Sequence, residues 1–192
     1  MMRLFADRSA IEAAVARVGA EIDRDHADQP ALLVGVLRGS LPFLADLARA
    51  CRTNVEIDLL AISQFGLEAK QGGVVRIVKD LDTDIQGRAV VLVEDIVDQG
   101  LTLRYLTRML TARGPASLKV ATLLDRPSAR TEGIAPDYVG LEVGEGYLVG
   151  YGLDADERFR NLRNLWILEP APGSLNDAEV ASVHAEDART TG

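Results

Sequence analysis

Apolar and polar positions alternate along the chain in blocks that predict strands separated by helices. Strands are predicted at residues 32–37, 55–65, 74–78, 90–93, 118–124, 138–141 and 165–168. Apolar residues three or four positions apart predict amphipathic helices; these are Ile11, Val15, Val18 and Ile22, then Phe43, Leu44 and Leu47, then Leu103, Leu106 and Leu110. This alternation is typical of an α/β fold with a parallel sheet.

Breaks in the pattern predict where these elements start and where the chain loops out. The sequence Ser9-Ala10-Ile11-Glu12 has the form of a capping box, which predicts a helix start at Ser9. Residues 66–73 are polar and glycine-rich and lie between two strands of a predicted hairpin, so we expect a mobile excursion there. We expect residues 1–169 to form one domain and residues 170–192 a mobile C-terminal tail, with a short helix at 177–188 as the alternative.

Composition and charge exclude several classes of protein. The chain has 192 residues, enough for one domain with its own core, and no apolar run long enough to span a membrane. It also lacks the N-terminal pattern of a secretory signal, and its single cysteine, Cys51, excludes an internal disulfide. We therefore expect a cytoplasmic protein. The net charge of −8 argues against nucleic acid as a partner, and only His26 and His184 could serve a histidine-based zinc site or catalytic triad.

The most informative candidate chemistry follows the apolar run at residues 90–93. Glu94 and Asp95 come directly after it, at the end of a strand, where open parallel sheets place their ligands. Asp98 opens a short loop, and Thr102 can cap the helix that starts there, whose N-terminus suits a phosphate. Carboxylates for a metal or a diol, beside an anion site, predict binding of a phosphorylated sugar. Because both protein and substrate are acidic, we expect a divalent cation between them.

The segment Glu94-Asp95-Ile96-Val97-Asp98 resembles the phosphoribosyl pyrophosphate signature of type I phosphoribosyltransferases, in particular of the hypoxanthine/guanine branch. Four further blocks extend the resemblance from about residue 32 to residue 168. These blocks are Gly35-Val36-Leu37-Arg38-Gly39-Ser40, Val78-Lys79-Asp80-Leu81-Asp82, Leu123-Leu124-Asp125-Arg126-Pro127-Ser128 and Leu148-Val149-Gly150-Tyr151-Gly152-Leu153-Asp154. The resemblance implies a three-layer α/β fold of the phosphoribosyltransferase type, with a parallel central sheet, a small hood from the chain ends and a mobile lid loop.

The same resemblance implies a reaction, a cofactor and a set of site residues. The reaction is purine salvage: transfer of a 5-phosphoribosyl group from phosphoribosyl pyrophosphate to N9 of hypoxanthine or guanine, which gives IMP or GMP and pyrophosphate. The cofactor is Mg²⁺, and the enzyme is a homo-oligomer, either a dimer or a tetramer. The implied general base is Asp98, beside N7 of the purine.

The other implied roles fall into four groups. The ribose and its 5′-phosphate are bound by Glu94, Asp95, Asp98, Gln99, Gly100, Leu101 and Thr102. Pyrophosphate is bound by Arg38, Gly39 and Arg160, with a cis peptide between Leu37 and Arg38. The purine is bound by Arg126, Tyr147, Leu148 and Asp154. The metal is bound by Glu94, Asp95 and Asp154.

Three departures from the family pattern leave alternatives open. Gln99 replaces a Ser or Thr at the phosphate, Arg126 replaces a Lys at the 6-oxo group of the purine, and Gln64-Phe65 replaces a Ser-Tyr pair in the lid. One alternative is a degenerate member that binds nucleotide or phosphoribosyl pyrophosphate as a regulator. Another is a transferase that acts on a different base. The sequence does not rank hypoxanthine, guanine and xanthine as substrates.

Overall fold

The computed structural model describes residues 2–65, 74–131, 133–169 and 177–190, and within them the strands form two sheets. The strands are β1 (Met2–Ala6), β2 (Leu32–Leu37), β3 (Glu56–Phe65), β4 (Val74–Lys79), β5 (Ala89–Val97), β6 (Ser117–Asp125), β7 (Tyr138–Glu142), β8 (Tyr147–Val149) and β9 (Leu165–Leu168). The helices are α1 (Arg8–Asp25), α2 (Leu41–Ala50), α3 (Leu101–Thr111) and α4 (Asp177–Arg189). The predicted lid, residues 66–73, lies outside the described residues.

The larger sheet has six strands in the order β4-β3-β2-β5-β6-β7. All neighbours pair in parallel except β3 and β4, which form the predicted antiparallel hairpin at one edge. Helices α1 and α2 cover one face, where Ile22, Phe43 and Leu47 are fully enclosed, and α3 covers the other face through Leu103 and Leu106. The three-layer α/β fold with a mostly parallel central sheet is therefore confirmed.

The smaller sheet, which we call the hood, has the order β1-β9-β8 and joins both ends of the chain. The apolar run at residues 165–168 therefore belongs to the hood and not to the central sheet, because β1 from the N-terminus pairs with it in antiparallel register. None of the helices among the described residues has the length and apolarity that a membrane span requires.

Two sequence-based expectations about helices are corrected. The N-cap of α1 is Asp7, whose carboxylate accepts from the Ala10 backbone N–H at 2.8 Å, and Ser9 instead donates to Asp7. The predicted capping box at Ser9 is therefore wrong, because an aspartate two residues earlier already satisfies the first turn. At α3 the N-cap is Gly100, with φ of 84°, so Thr102 lies within the first turn and does not cap it.

The C-terminal tail predicted at residues 170–192 is described only at residues 177–190. Residues 177–189 form α4, the helical alternative, and Val183 packs into the apolar cluster of the hood with Phe159, Leu162 and Trp166. The buried Asp187 carboxylate accepts hydrogen bonds from the indole N–H of Trp166 and from Asn164. Because this helix supplies both apolar contacts and a hydrogen-bonded carboxylate, it docks on the domain.

Candidate active site

The carboxyl ends of β2, β5 and β6 lie at one edge of the central sheet, where β2, β5 and the turn after β5 border a cavity of about 420 Å³. Pairing of Leu33 with Val91 and of Glu94 with Thr122 keeps these three strands in register up to that edge. The cavity is lined by Val36, Leu37, Arg38, Gly39, Ile62, Glu94, Asp95, Ile96, Val97, Asp98, Gln99, Gly100, Leu101, Thr102 and Leu103. It therefore collects all the residues predicted to bind the ribose and 5′-phosphate and two of the three predicted to bind pyrophosphate.

The turn from β5 into α3 has the geometry of an anion site. Gly100 takes a left-handed conformation, with φ of 84°, which lets the chain reverse tightly before the helix starts. The N-terminal turn of α3 borders the cavity through Leu101 and Thr102, and helix N-termini attract anions. Gln99 is exposed, and its carbonyl accepts from the Thr131 backbone N–H at 3.2 Å.

Glu94 and Asp95 place two carboxyl groups at the floor of this cavity. Glu94 is only 7% exposed, and no donor or cation among the described residues contacts its carboxylate. Burial raises the pKa of Glu94 well above its usual value, and the neighbouring Asp95 raises it further. Burial also raises the pKa of Asp95, although the Ile96 backbone N–H opposes this shift. Arg160 attracts Asp95 only enough to offset part of this shift, so the buried acidic pair is an environment that a bound cation would stabilise.

The donor chemistry of this pair fits Mg²⁺, which commonly takes one or two protein carboxylates and completes its shell with water and substrate phosphates. The predicted third ligand, Asp154, is already engaged: one oxygen lies 2.8 Å from Arg160 and the other accepts from the Glu157 backbone N–H at 2.9 Å. Across the described part of the chain, no three His, Cys, Asp or Glu side chains are arranged to hold a metal ion. Glu94, Asp95 and Asp154 thus do not form a three-ligand group in this structure.

The loop after β2 approaches the acidic pair very closely. The Leu37–Arg38 peptide is cis. A Cβ atom added to Gly39 would lie 1.6 Å from Oδ2 of Asp95, so only glycine fits beside this carboxylate. On the hood side, a Cβ atom on Gly152 would lie 2.0 Å from the Gly39 carbonyl oxygen. These contacts bring the loop, the acidic pair and the hood together at one point.

Arg38 and Arg160 both lie near this point. Arg160 is half-buried and donates to the Gly152 carbonyl at 2.8 Å, and its Nη2 also contacts Asp154. Arg38 is exposed and contacts Glu157 at 2.5 Å. Two guanidinium groups beside the acidic pair can bind an anion with several charged oxygens.

The predicted base and the predicted purine contact touch each other. Nη1 of Arg126 lies 2.9 Å from Oδ1 of Asp98, and its Nη2 donates to the Gly146 carbonyl at 2.8 Å. Oδ1 of Asp98 and Nε of Arg126 are nevertheless buried without an aligned hydrogen bond to any described residue. A buried acceptor and a buried donor side by side fit a planar ligand that offers both kinds of group.

Tyr147 and Leu148 form one wall beside this pair. Tyr147 is 39% exposed, and its hydroxyl donates to the Asp154 carbonyl at 3.1 Å. Its ring face can therefore stack on a base. Leu148 is buried and pairs with Ile167 in the hood. The 420 Å³ cavity itself is not lined by five of the predicted site residues, which are Arg126, Tyr147, Leu148, Asp154 and Arg160. They lie next to it, because Arg126 contacts Asp98 and the hood packs against Gly39.

Sequence reasoning assigned no role to two residues that the structure places in support of the site. Arg130 donates from Nε to the Asp98 carbonyl at 3.0 Å and contacts the buried Asp125 carboxylate, so it fixes the Asp98 turn against β6. Glu157 contacts both Arg38 and Arg160. The contacts of Arg130 with Asp98 and of Glu157 with Arg38 join segments that are distant in sequence, so no local pattern could have indicated them.

Comparison with known proteins agrees with this geometry. A model of the phosphoribosyl transferase domain matches residues 5–156. A hypoxanthine-guanine phosphoribosyltransferase of Bacillus subtilis is 45% identical over 161 residues, which cover 84% of this chain and 89% of that protein. One from Mycobacterium tuberculosis is 45% identical over 166 residues, or 83% and 82% of the two chains.

Solved structures give the same result. The crystal structure of a hypoxanthine-guanine phosphoribosyltransferase from Bacillus anthracis superposes with a TM-score of 0.84 at 34% identity, over 86% of this chain and 98% of that chain. A ternary substrates complex of a hypoxanthine phosphoribosyltransferase variant from Trypanosoma cruzi superposes with a TM-score of 0.83 at 36% identity, over 87% and 95%. The chain therefore belongs to the phosphoribosyl transferase domain family.

Proposed function

We propose that the chain is a hypoxanthine/guanine phosphoribosyltransferase of purine salvage, which transfers a 5-phosphoribosyl group from phosphoribosyl pyrophosphate to N9 of a 6-oxopurine. The observation that carries this proposal is the convergence of three groups at one edge of the sheet. They are the acidic pair Glu94 and Asp95, the base and donor pair Asp98 and Arg126, and the cations Arg38 and Arg160. The hypoxanthine-guanine activity named for the relatives supports the same reaction.

The sugar half of the reaction is assigned to β5 and the turn that follows it. The 5′-phosphate lies at the start of α3, within reach of Gln99, Gly100, Leu101 and Thr102. Glu94 and Asp95 hold the ribose hydroxyls. As the bond between C1′ and pyrophosphate breaks, positive charge develops on the sugar and negative charge on the leaving group. Arg38, Arg160 and the backbone of Gly39 stabilise that leaving charge.

Mg²⁺, when bound with the sugar pyrophosphate, supplies positive charge to the ribose and pyrophosphate oxygens. We assign its protein ligands to Glu94 and Asp95. The predicted metal contact of Asp154 requires that this carboxylate first release Arg160 or the Glu157 N–H. In the present geometry Asp154 instead positions Arg160.

The base half of the reaction is assigned to Asp98 and Arg126. N9 of the purine attacks C1′, and the proton on N7 passes to the Asp98 carboxylate. Arg126 turns from Asp98 to donate to the 6-oxo group, which gives each of the two buried groups a partner. Tyr147 stacks on the ring, and Leu148 offers backbone groups to its edge. A 6-amino purine leaves the Arg126 donor unpaired, which we expect to disfavour adenine about tenfold or more.

The test is a turnover assay with phosphoribosyl pyrophosphate, Mg²⁺ and hypoxanthine, guanine, xanthine, adenine and uracil as acceptors. We expect nucleotide and pyrophosphate with the 6-oxopurines and little product with adenine. Measurable binding of phosphoribosyl pyrophosphate without transfer to any base would overturn the proposal in favour of a binding regulator. Fast transfer to uracil alone would indicate a transferase for another base.

We further propose that the enzyme acts in the cytoplasm as a homo-oligomer, a dimer or a tetramer, as the resemblance implies. Its mass in solution, measured by light scattering, tests the assembly. A monomer that retains full turnover would contradict it.

A further inference from the structure

One carboxylate bridges the two arginines assigned to pyrophosphate. Nη2 of Arg38 lies 2.5 Å from Oε1 of Glu157, and Nη2 of Arg160 lies 3.4 Å from Oε2 of the same side chain. Arg38 follows β2, whereas Glu157 and Arg160 belong to the segment between β8 and β9, so the bridge spans 119 residues of sequence. Glu157 thus makes the contacts that an anion with two charged ends would make.

The backbone around Glu157 holds this arrangement in place. Its N–H donates to Oδ2 of Asp154 at 2.9 Å, and its φ of 64° lies in the left-handed region that glutamate rarely adopts. Asp156, one residue earlier, also has a positive φ, of 51°, but no contact with either arginine. Asp154 contacts Arg160 as well, so the same turn fixes both the cation and the carboxylate that meets it.

An anion that binds the two arginines meets carboxylates that are already close to them. Glu157 contacts both guanidinium groups, Asp154 contacts that of Arg160, and Asp95 is attracted to Arg160. Pyrophosphate adds several negative charges to this cluster, and Glu157 is the carboxylate that can leave most easily. Its side chain is 60% exposed and that of Arg38 is 67% exposed, so water can replace the contact at little cost.

We propose that Glu157 competes within the chain for Arg38 and Arg160 and thereby weakens the binding of pyrophosphate. This inference rests on the proposed function, because that function assigns the two arginines to pyrophosphate. Glu157 returns to the arginines as pyrophosphate leaves, so it promotes release of this product. Its carboxylate contacts the two arginines, and among the described residues its only contact with one predicted to bind the purine is the backbone hydrogen bond to Asp154.

The test compares Glu157→Gln with Asp156→Asn. Both variants remove one negative charge from the same exposed turn, and both keep a side chain of similar size on a left-handed backbone. Isothermal titration calorimetry with pyrophosphate and Mg²⁺ measures the dissociation constant without any need for turnover. We expect Glu157→Gln to tighten binding by about three- to fivefold, the size of an exposed ion pair, and Asp156→Asn to change it by less than about twofold.

A second measurement follows the reverse reaction, in which IMP and pyrophosphate are converted to hypoxanthine and phosphoribosyl pyrophosphate. Glu157→Gln should lower the KM for pyrophosphate and leave the KM for IMP unchanged. Unchanged or weaker pyrophosphate binding in Glu157→Gln, or an equal gain in Asp156→Asn, overturns the inference. A wild-type protein that forms no nucleotide from any base is a failure of the proposed function alone, because the calorimetric comparison still decides the role of Glu157.

Discussion

At the scale of single residues, the chain approaches the Asp95 carboxylate very closely at Gly39, which has no side chain. Its Cα faces Oδ2 of Asp95 so closely that a Cβ atom would overlap the carboxylate. In the proposed reaction, this close approach lets the backbone of Gly39 act on pyrophosphate while Asp95 acts on the neighbouring ribose of the same substrate. A single methyl group at this position should therefore disturb both.

We expect Gly39→Ala to displace the Asp95 carboxylate and to lower kcat/KM for phosphoribosyl pyrophosphate by about tenfold or more. Gly144→Ala is the matched control, since a Cβ atom there meets nothing within 4 Å. Steady-state kinetics with the sugar pyrophosphate varied at saturating hypoxanthine measures the effect. Equal kinetics of the two variants would show that the contact with Asp95 is not required.

Substitution of Asp98 can test its role as a proton acceptor separately from the size of its side chain. Asp98→Asn keeps the size of the side chain but removes its ability to take the N7 proton, so kcat should fall on the order of 10²-fold. The affinity for phosphoribosyl pyrophosphate should change little, because Asp98 meets the base side of the site through Arg126. Single-turnover rates and binding titrations separate the two quantities. An unchanged single-turnover rate would remove Asp98 as the base.

At the scale of elements, α4 is held to the hood by a charge as well as by apolar packing. Asp187 is 5% exposed, and it accepts from the backbone N–H groups of Arg163 and Asn164 and from the indole of Trp166. Burial by itself would raise the pKa of Asp187, but these hydrogen bonds outweigh it and hold the pKa below its usual value. The segment that Asp187 holds, residues 163–166, begins three residues after Arg160. Helix α4 therefore stabilises the part of the chain next to Arg160.

We expect Asp187→Asn to lower the free energy of unfolding by about 2–3 kcal/mol at neutral pH, because an amide cannot accept all of these donors and turns its own N–H groups toward them. Glu186→Gln, an exposed change on the same helix, should have almost no effect. Denaturant titrations of both variants provide the measurement. Equal stability of Asp187→Asn and the wild type would show that α4 docks without this carboxylate.

The pH dependence of this difference follows from the direction of the shift. A carboxyl group with a lowered pKa in the folded state stabilises the fold above its unfolded pKa, and the stabilisation disappears as the pH falls through the lower folded value. The stability gap between wild type and Asp187→Asn should thus be constant near neutrality and narrow below about pH 4. A gap that persisted unchanged in acid would exclude the ionised carboxylate as its source.

At the scale of the whole molecule, the net charge of −8 opposes the binding of an anionic sugar pyrophosphate. The acidic pair at the floor of the cavity adds to this repulsion locally. The arginines and the N-terminus of α3 compensate only part of it, since Glu157 and Asp154 already contact the arginines. We therefore expect the remaining compensation to come from a cation bound together with the substrate.

Removal of divalent cations with EDTA should abolish turnover, and added Mg²⁺ should restore it. The unfolding temperature should stay unchanged in both conditions, because no three-ligand metal group is assembled among the described residues. Activity assays and thermal unfolding on the same samples give the two readouts. Full activity in EDTA would contradict the assignment to Glu94 and Asp95, and a lower unfolding temperature would indicate a structural metal instead.

The sequence by itself determined the elements of the central sheet and the half of the site that lies on one continuous segment. A strand buried on both faces favours an unbroken apolar run, so β2 and β5 were predictable from local composition. Glu94, Asp95, Asp98 and Gly100 follow β5 directly, and their position at the edge of the sheet follows from the strand that carries them. The parallel pairing of β2 with β3 and of β5 with β6 also followed, because a helix separates the two strands of each pair.

Only the tertiary structure decided which distant groups meet. The pairing of β9 with β1, the contact of Arg126 with Asp98 and the bridge from Glu157 to Arg38 each join segments whose separation in sequence carries no periodic signal. The docking of α4 could not be predicted for a similar reason. Its few apolar residues are typical of a solvated tail, and the hydrogen bonds that Asp187 accepts from Asn164 and Trp166 depend on the folded structure. Hydrophobic periodicity is a local property of the chain, whereas ion pairs and buried hydrogen bonds depend on how the layers pack, and that packing assembles the pyrophosphate and purine sides of the site.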